Sequence, residues 1–222
     1  MEIDYKSKWN NYTPGDVSWI NDRKTHPCRK LFVDYVSNIS HGNRFRYSVL
    51  EIGAGELLEA KKLEYEACYV VCDISKTFLK HASHNGIGTI ESCMTDIKTD
   101  KFFNIVYMCS VLEHTPNIVK TIESIKKISE KYFITLFKWT YKNVECPYQS
   151  IYHPKRGYFS TEFNINDIVR LLKEHSKIEF MTVTGDNIET MSYKKYYSTL
   201  NEKQKNGLHR NGNYLSICGV WK

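Results

Sequence analysis

The sequence predicts a doubly wound α/β fold with a mostly parallel sheet of seven strands. A short apolar run at Tyr47–Ile52 leads into two closely spaced glycines, Gly53 and Gly55, and a helical pattern starts near Glu56. That order is typical of a buried strand, a tight turn and a helix start. Phe102–Cys109 is apolar almost throughout, as a central parallel strand is. Strand and helix patterns alternate along the chain, which is the order that a parallel sheet requires.

Five further strands complete the predicted sheet. They are expected at Tyr69–Asp73, Ile87–Ser92, Tyr132–Phe137, Ile178–Val183 and Tyr214–Trp221. Helices are expected to begin at Pro27, at a Ser75 cap, after Pro116, and at a Ser160 or Thr161 cap. The residues before the first strand are expected to form an N-terminal helical lid.

The length and composition indicate a single globular domain. The 222 residues are 41% hydrophobic and 25% charged. A chain of this length suits one domain over 1–222. We expect an arm and helix at 1–45, a catalytic core at 46–222 and an insertion at 184–213 before the last strand.

The composition also disfavours several classes of function. The net charge is only +6 and the lysines are spread along the chain, so no DNA partner is expected. No apolar run approaches the roughly 20 residues that cross a bilayer, so no membrane partner is expected. The N-terminus lacks the apolar stretch of a signal peptide, and the seven cysteines contain no Cys-x-x-Cys pair, so we expect a cytoplasmic protein. We expect a monomer or homodimer. His81 and His84 have no second ligand pair, so no metal is expected.

The glycine turn and a later acid suit a nucleotide ligand. Glycines permit positive φ and let a ligand approach the backbone, and a helix start offers N–H groups to an anion. Asp73, at the end of the second strand, lies twenty residues after Gly53. In doubly wound folds an acid at this point can accept both hydroxyls of a ribose. A β-carbon at Gly53 or Gly55 is expected to fill space that the ligand needs.

Together with further motifs, these residues resemble the class I S-adenosylmethionine-dependent methyltransferases, specifically the small type 11 and type 12 domains, from Tyr47 to Trp221. The motifs stand in the family's order. They are Glu51, Gly53 and Gly55 after strand one, Asp73–Ile74 after strand two, Asp96–Ile97 after strand three, Leu112, Glu113 and His114 after strand four, and His153 with Tyr158, Phe159 and Ser160 before the penultimate helix. One position departs from the family, because the third glycine often seen in the first motif is Leu57 here.

The resemblance implies S-adenosyl-L-methionine as the cofactor and S-adenosyl-L-homocysteine as the product. The implied cofactor site consists of Glu51, Gly53, Ala54, Gly55, Asp73, Ile74, Asp96, Ile97 and Ser110. Within it, Asp96 is expected to accept from the adenine amine, and a free N–H of Ile97 is expected to donate to the ring. The candidate general bases for a hydroxyl acceptor are His114 first and His153 second, because histidine titrates near neutral pH.

Two segments outside the predicted sheet and helices are expected to roof the acceptor pocket. The first is the aromatic arm with Tyr12 and Trp19, which together with Tyr158 are the expected substrate-binding residues. The second is 184–213, which is rich in tyrosine and lysine. Both supply rings that can stack on an acceptor, and methyl transfer favours a covered, dry site.

The expected activity is methyl transfer to O or N of a small molecule, sugar or natural product. Peptide, protein and RNA acceptors remain alternatives. A NAD-dependent oxidoreductase is another, because Gly-x-Gly with an acid twenty residues on also occurs there. A cofactor-binding partner protein without catalytic activity is the third. Leu57 in place of a glycine and the Leu112–His114 motif count against the oxidoreductase.

Overall fold

The computed structural model describes residues 6–12, 27–41, 46–53, 55–142, 144, 147–148, 150–185, 188–205, 208–209 and 213–222. The predicted site residues Trp19 and Ala54 lie outside the described residues.

The secondary structure is numbered along the chain. The helices are α1 (Lys6–Asn10), α2 (Pro27–Ser40), α3 (Lys76–His84), α4 (Ile118–Ile128), α5 (Ile165–His175), α6 (Tyr193–Thr199) and α7 (Glu202–Lys205), with a 3-10 turn at Leu112–His114. The strands are β1 (Tyr47–Ile52), β2 (Ala67–Asp73), β3 (Gly88–Glu91), β4 (Phe103–Cys109), β5 (Ser129–Leu136), β6 (Trp139–Thr140), β7 (Ile151–His153), β8 (Tyr158–Ser160), β9 (Phe163–Asn164), β10 (Ser176–Gly185), β11 (Ile188–Ser192), β12 (Leu208–His209) and β13 (Asn213–Trp221). Within the described part of the chain, no helix has the length and apolar character needed to cross a membrane.

The main sheet runs in the order β11-β10-β13-β5-β4-β1-β2-β3. The five neighbouring strands β5, β4, β1, β2 and β3 are parallel to one another. Strand β13 lies between β5 and β10 and is antiparallel to both. All seven predicted strands are therefore present. The sheet has an eighth, because β11 in the expected insertion folds back on β10 as an antiparallel hairpin. The prediction of a seven-stranded sheet is corrected to eight.

Helices pack on both faces of this sheet, as a doubly wound fold requires. Helices α4 and α5 bury Ile122, Ile125 and Ile168 in the larger apolar cluster on one face. Helix α2 packs on the other face, where Phe32 stacks on Tyr107 with ring centroids 3.7 Å apart. The sheet is therefore covered on its faces, and its strand ends are left to form a site.

Two predicted helix starts are wrong. After the glycine turn the chain forms a series of turns instead of a regular helix, because Gly55 and Leu57 both adopt left-handed backbone angles. Helix α5 is capped by Asn164 instead of Ser160 or Thr161, because the chain first forms the short strand β9.

The N-terminal helix α1 packs against the start of α3. Ser75 Oγ donates to the Trp9 carbonyl at 3.0 Å, and the Lys76 N–H donates to Asn10 Oδ1 at 2.8 Å. Because α3 starts directly after β2, these bonds place α1 at the same edge of the sheet as the glycine turn. Of the predicted lid, α1 therefore lies at the carboxyl ends of the strands, whereas α2 covers a face of the sheet.

Candidate active site

A cavity of about 460 Å³ opens at the carboxyl ends of β1, β2 and β4, with residues of α1 in its wall. Ligands of open α/β sheets bind in this position. The volume falls in the range of small-molecule sites, about 300–1,000 Å³. One part of the wall, which we call the glycine side, comprises Gly53, Gly55, Asp73 and Ser110.

The glycine turn follows β1 directly. Gly53 and Gly55 have φ values of 69° and 55°, which side chains other than glycine rarely adopt. The Gly53 N–H donates to the Cys72 carbonyl at 2.8 Å, and this bond ties the turn to β2. Leu57 has a φ of 59°, so this leucine takes a glycine-like conformation where the resembling family often has glycine. Leucine in this left-handed conformation carries about 1–2 kcal/mol of backbone strain that glycine would not have.

Asp73 is the last residue of β2 and lines the cavity. Its Oδ1 accepts the Ser75 N–H at 2.8 Å, which holds the carboxylate beside the start of α3. Burial raises the pKa of Asp73 to about 6, although the N–H groups of Ser75 and Ile74 oppose that rise. A carboxylate has about four lone-pair sites, so Asp73 can accept further donors from a ligand. Ile74 also lines the cavity, as predicted.

Ser110 follows β4 and has a φ of 57°, an unusual value for a serine. Its N–H donates to the Thr135 carbonyl at 2.9 Å. Its buried Oγ has no hydrogen-bond partner among the described residues. Strained backbone and unpaired buried polar atoms both concentrate at functional sites. Ser110 therefore presents a hydroxyl that a ligand can satisfy.

The structure does not bring Asp96 or Ile97 to the cavity. Asp96 is exposed, and its carboxylate pairs with Lys98 at 2.6 Å. The Ile97 N–H donates to Ser124 Oγ at 2.9 Å, so the prediction that it is free for a ligand is wrong. The loop after β3 contributes other residues to the cavity wall. They are Ser92, Cys93 and Met94.

Glu51 also lies outside the cavity wall, in a buried polar network beneath the glycine turn. It is 2% exposed, and its Oε2 accepts the Tyr69 hydroxyl at 2.8 Å. Burial and then the charge of Glu59 raise the pKa of Glu51. Arg29 Nη1 lies 2.5 and 2.7 Å from the two carboxylate oxygens of Glu59. Arg29 is the member of this network that reaches the cavity.

A second part of the wall is aromatic, and we call it the ring side: Trp9, His114, Phe137 and Tyr158. The ring centroids lie 5.5 Å apart for Trp9 and His114, 5.3 Å for His114 and Tyr158, and 6.0 Å for Trp9 and Tyr158. Phe137 lies 6.1 Å from His114. Tyr12 also lines the cavity, 5.7 Å from Trp9. Two of the three predicted substrate-binding residues, Tyr12 and Tyr158, therefore reach the cavity.

His114 is held in one orientation by the backbone. Its Nδ1 lies 2.9 Å from the Phe159 carbonyl oxygen. A carbonyl only accepts, so Nδ1 carries the proton and the neutral ring has its lone pair on Nε2. His153 lies in β7 and does not line the cavity, and its carbonyl accepts the Gly157 N–H in the turn to β8. Only the first of the two predicted bases is therefore at the site.

Glu113 connects the segments that carry the ring side. It is fully buried, and its Oε1 accepts the Phe137 N–H at 2.6 Å and the Lys138 N–H at 3.3 Å. Its own carbonyl accepts the Thr161 N–H at 3.0 Å. Burial raises the pKa of Glu113 to about 7, although these backbone donors oppose the rise. Glu113 thus positions His114 and Phe137 relative to each other.

Glu113→Gln is expected to remove a pH dependence of stability. The folded protein keeps the Glu113 proton up to a pH of about 7, whereas the unfolded chain releases it near the ordinary pKa of 4.5. The wild type therefore loses stability as pH rises from about 5 to about 8, by up to about 3 kcal/mol from this group. Glutamine keeps an acceptor for the Phe137 N–H and carries no charge.

Urea unfolding at several pH values measures this effect. Relative to the wild type, the free energy of unfolding of Glu113→Gln should increase as the pH rises from 5 to 8. Glu123→Gln, at an exposed position of α4, is the matched control and should follow the wild type at every pH. A constant difference for Glu113→Gln would contradict the shifted pKa.

The described residues of the insertion at 184–213 do not roof the cavity, since none of them lines it. Strand β11 extends the far edge of the main sheet, and α6 buries Tyr196 against Trp139 with ring centroids 5.9 Å apart. Beside the arm residues Trp9 and Tyr12, the cavity wall is instead formed by Lys138, which follows β5, and by Tyr158 of β8. The lid prediction is therefore wrong for the described residues of 184–213, and the rest of that segment lies outside the described residues.

Sequence reasoning missed several residues of the cavity wall. They are Trp9, Arg29, Met94, Phe137 and Lys138. A signal existed for Trp9, because it belongs to the aromatic arm. The others carry no local signal, since each reaches the cavity only through the tertiary packing of the element that bears it.

Comparison with known proteins agrees with this geometry. Residues 50–131 match the family model of a methyltransferase domain. The chain has the class I methyltransferase fold. The fold that the motifs implied is thereby confirmed. No curated protein sequence matches the chain.

Solved methyltransferase structures share this fold over nearly the whole chain. The 1,6-didemethyltoxoflavin-N1-methyltransferase of Burkholderia thailandensis, bound to 1,6-didemethyltoxoflavin and S-adenosylhomocysteine, is 14% identical with a TM-score of 0.61, covering 99% of this chain and 86% of its own. The N-methyltransferase NodS of Bradyrhizobium japonicum, bound to S-adenosylhomocysteine, is 12% identical with a TM-score of 0.59, covering 99% of each chain. Magnesium protoporphyrin IX methyltransferase of Synechocystis, bound to S-adenosylmethionine, is 13% identical with a TM-score of 0.61, covering 99% of this chain and 98% of its own. At these identities the likeness establishes the fold.

Proposed function

We propose that this protein is a S-adenosyl-L-methionine-dependent methyltransferase that methylates O or N of a small-molecule acceptor and releases S-adenosyl-L-homocysteine. One observation carries the proposal. In a methyltransferase fold, the left-handed turn at Gly53 and Gly55, the Asp73 carboxylate and the unpaired Ser110 hydroxyl line a single cavity. That cavity continues to a histidine held by the backbone. We further propose a cytoplasmic enzyme that is monomeric or homodimeric.

The glycine side fits the chemical groups of the cofactor. The ribose hydroxyls are donors, and Asp73 accepts. The amino-acid tail carries a carboxylate, for which the guanidinium of Arg29 supplies N–H donors. Ser110 Oγ offers that tail a further hydrogen bond. Ile74 and Met94 supply apolar surface for the adenine.

The protein's own residues orient the acceptor and exclude water. When bound, S-adenosylmethionine supplies an electrophilic sulfonium methyl, so little further activation is required. His114 takes up the acceptor's proton on Nε2 while the Phe159 carbonyl holds Nδ1–H in place. Trp9 and Tyr12 cover the cavity and keep water from the reacting atoms.

The small-molecule acceptor is supported by the similar structures and by the cavity. Two of those proteins are named as N-methyltransferases, and one was solved with its heterocyclic ligand 1,6-didemethyltoxoflavin. The third is named for a magnesium porphyrin. A cavity of about 460 Å³ suits a ligand of small-molecule size beside the cofactor.

Transfer of a labelled methyl group tests the proposal. The protein is incubated with methyl-tritiated S-adenosylmethionine and an extract of its native cells, and the products are separated by ultrafiltration. We expect a labelled compound other than S-adenosylmethionine, formed only when the protein is present and resolved by chromatography of the low-molecular-weight filtrate. Label that is retained and is released by protease or ribonuclease would support a macromolecular acceptor instead. Cofactor binding without any labelled product would favour the partner protein without catalytic activity.

The affinity for the cofactor is expected to decrease as the pH is lowered, because Asp73 takes up a proton. The carboxyl must lose its proton before it can accept both ribose hydroxyls, and its pKa is about 6 in the free protein. The affinity for S-adenosylhomocysteine should therefore fall about tenfold from pH 7 to pH 5. Calorimetric titration measures it. Asp73→Asn should bind more weakly at pH 7 and lose this pH dependence, and a wild-type affinity independent of pH would contradict the assignment.

A further inference from the structure

We propose that the methyl acceptor is a planar ring compound with an anionic group, its ring held against Trp9 and Tyr158 and its anionic group bound by Lys138. This inference rests on the proposed function, because it concerns the second substrate of the same cavity. Three features carry it: the continuous aromatic wall, the charges around that wall, and the position of His114.

The aromatic wall suits a flat ligand. Trp9, His114 and Tyr158 contact one another with centroid distances between 5.3 and 6.0 Å and interplanar angles between 43° and 88°, so a flat ring that stacks on one of them meets the others with its edge. Their ring contacts and the backbone bond to His114 limit their movement. Rigid aromatic surface favours stacking of another π-system over contact with a flexible aliphatic chain.

The charges around this wall are positive. Lys138 Nζ donates to Ser160 Oγ at 2.6 Å and lies 5.1 Å from the Phe137 ring centroid. An ammonium has three N–H donors, so this lysine can also bind an anion. Arg156 Nη1 lies 3.4 Å from the Tyr158 hydroxyl, and Lys8 Nζ lies 5.3 Å from the Tyr12 ring centroid.

The acids of the cavity lie elsewhere. Asp73 and Glu56 belong to the elements of the glycine side, and none of the described residues lining the ring side is a carboxylate. Glu113 is buried behind the wall, with Oε1 bound to backbone N–H groups. A cationic amine would therefore meet the ammonium of Lys138 beside this wall, whereas an anion is attracted to it.

The position of His114 agrees with a planar acceptor. A hydroxyl on an aromatic ring has a pKa of about 10, close enough to that of imidazole for efficient proton transfer. An aliphatic alcohol is a much weaker acid and gains less from a histidine base. A ring that stacks on Tyr158 is nearly perpendicular to His114, so the edge that carries its hydroxyl or ring N–H can approach Nε2.

Four probes test the inference by calorimetry on the intact protein saturated with S-adenosylhomocysteine. They are 4-hydroxybenzoate (planar and anionic), 4-hydroxybenzamide (planar and neutral), trans-4-hydroxycyclohexanecarboxylate (anionic but not planar) and tyramine (cationic). We expect 4-hydroxybenzoate to bind roughly tenfold more tightly than each of the others. Equal binding of all four, preference for tyramine, or binding of none would overturn the inference.

Variants separate the two recognition elements. Lys138→Gln should remove the preference for 4-hydroxybenzoate over 4-hydroxybenzamide, and Trp9→Leu should remove the preference over the cyclohexane compound. Lys127→Gln, at an exposed position of α4, is the control and should behave as wild type. Unchanged preferences in Lys138→Gln and Trp9→Leu would also overturn the inference. The titration with S-adenosylhomocysteine that precedes each experiment separates the two claims, since failure of that step contradicts the proposed function itself.

Discussion

Asp73→Ala is expected to weaken the binding of S-adenosylhomocysteine by about 1.5–3 kcal/mol, the range for hydrogen bonds to a charged group. This corresponds to a roughly 10- to 150-fold rise in the dissociation constant. The reason is geometric. Asp73 ends β2 at the cavity wall, and the Ser75 N–H holds its carboxylate in place for two ribose hydroxyls. Calorimetric titration of both proteins at pH 7 measures the change.

Asp96→Ala is the matched control for this prediction. Both acids follow neighbouring strands and both were predicted to bind the cofactor, but Asp96 is exposed and paired with Lys98. Its replacement should leave the dissociation constant unchanged. Equal losses in the two variants, or a loss only in Asp96→Ala, would show that the cofactor lies differently from the arrangement proposed here.

Gly53→Ala is expected to lower the free energy of unfolding by about 2–5 kcal/mol, the sum of backbone strain and overpacking. Gly53 has a φ of 69°, and a β-carbon there would lie 2.7 and 2.9 Å from the two γ-carbons of Val111. The branched side chain of Val111 has little freedom to move away. The first obstacle to a side chain at Gly53 is therefore the protein itself, not the ligand as the sequence suggested.

Gly55→Ala separates strain from overlap. Gly55 has a φ of 55°, but a β-carbon there would meet nothing within 4 Å. Urea unfolding should therefore show only the strain, about 1–2 kcal/mol. The double variant Gly53→Ala, Val111→Ala should recover part of the loss of the single variant. A loss in Gly53→Ala no greater than in Gly55→Ala would contradict the overlap with Val111.

Local sequence patterns predicted the elements that carry the glycine side. The seven strands and the turn at Gly53 follow from apolar runs, glycines and their spacing, and parallel pairing brings Asp73 and Ser110 to the same edge. These features depend on residues close together in the chain. That is why the fold and the glycine side of the cavity could be predicted without a structure.

Contacts between distant residues decided what the sequence could not predict. The N–H of Ile97 is taken up by its bond to Ser124, 27 residues away in the chain. Trp9 reaches the cavity because Ser75 binds its carbonyl, 66 residues away in the chain.

The choice of the wrong lid segment has the same origin. Tyr196 in the insertion and Tyr158 in β8 belong to the same residue type. Packing alone places Tyr196 in the core against Trp139 and Tyr158 in the cavity wall. Aromatic content therefore indicated that a long segment packs, but not what it packs against.

The central claim is that the cavity at the ends of β1, β2 and β4 binds S-adenosylmethionine, and one measurement tests it most directly. The intact protein is titrated calorimetrically with S-adenosylhomocysteine and, separately, with NAD. Our account predicts saturable binding of S-adenosylhomocysteine at one site per chain and no binding of NAD. Binding of NAD with none of S-adenosylhomocysteine would contradict it and would favour an oxidoreductase.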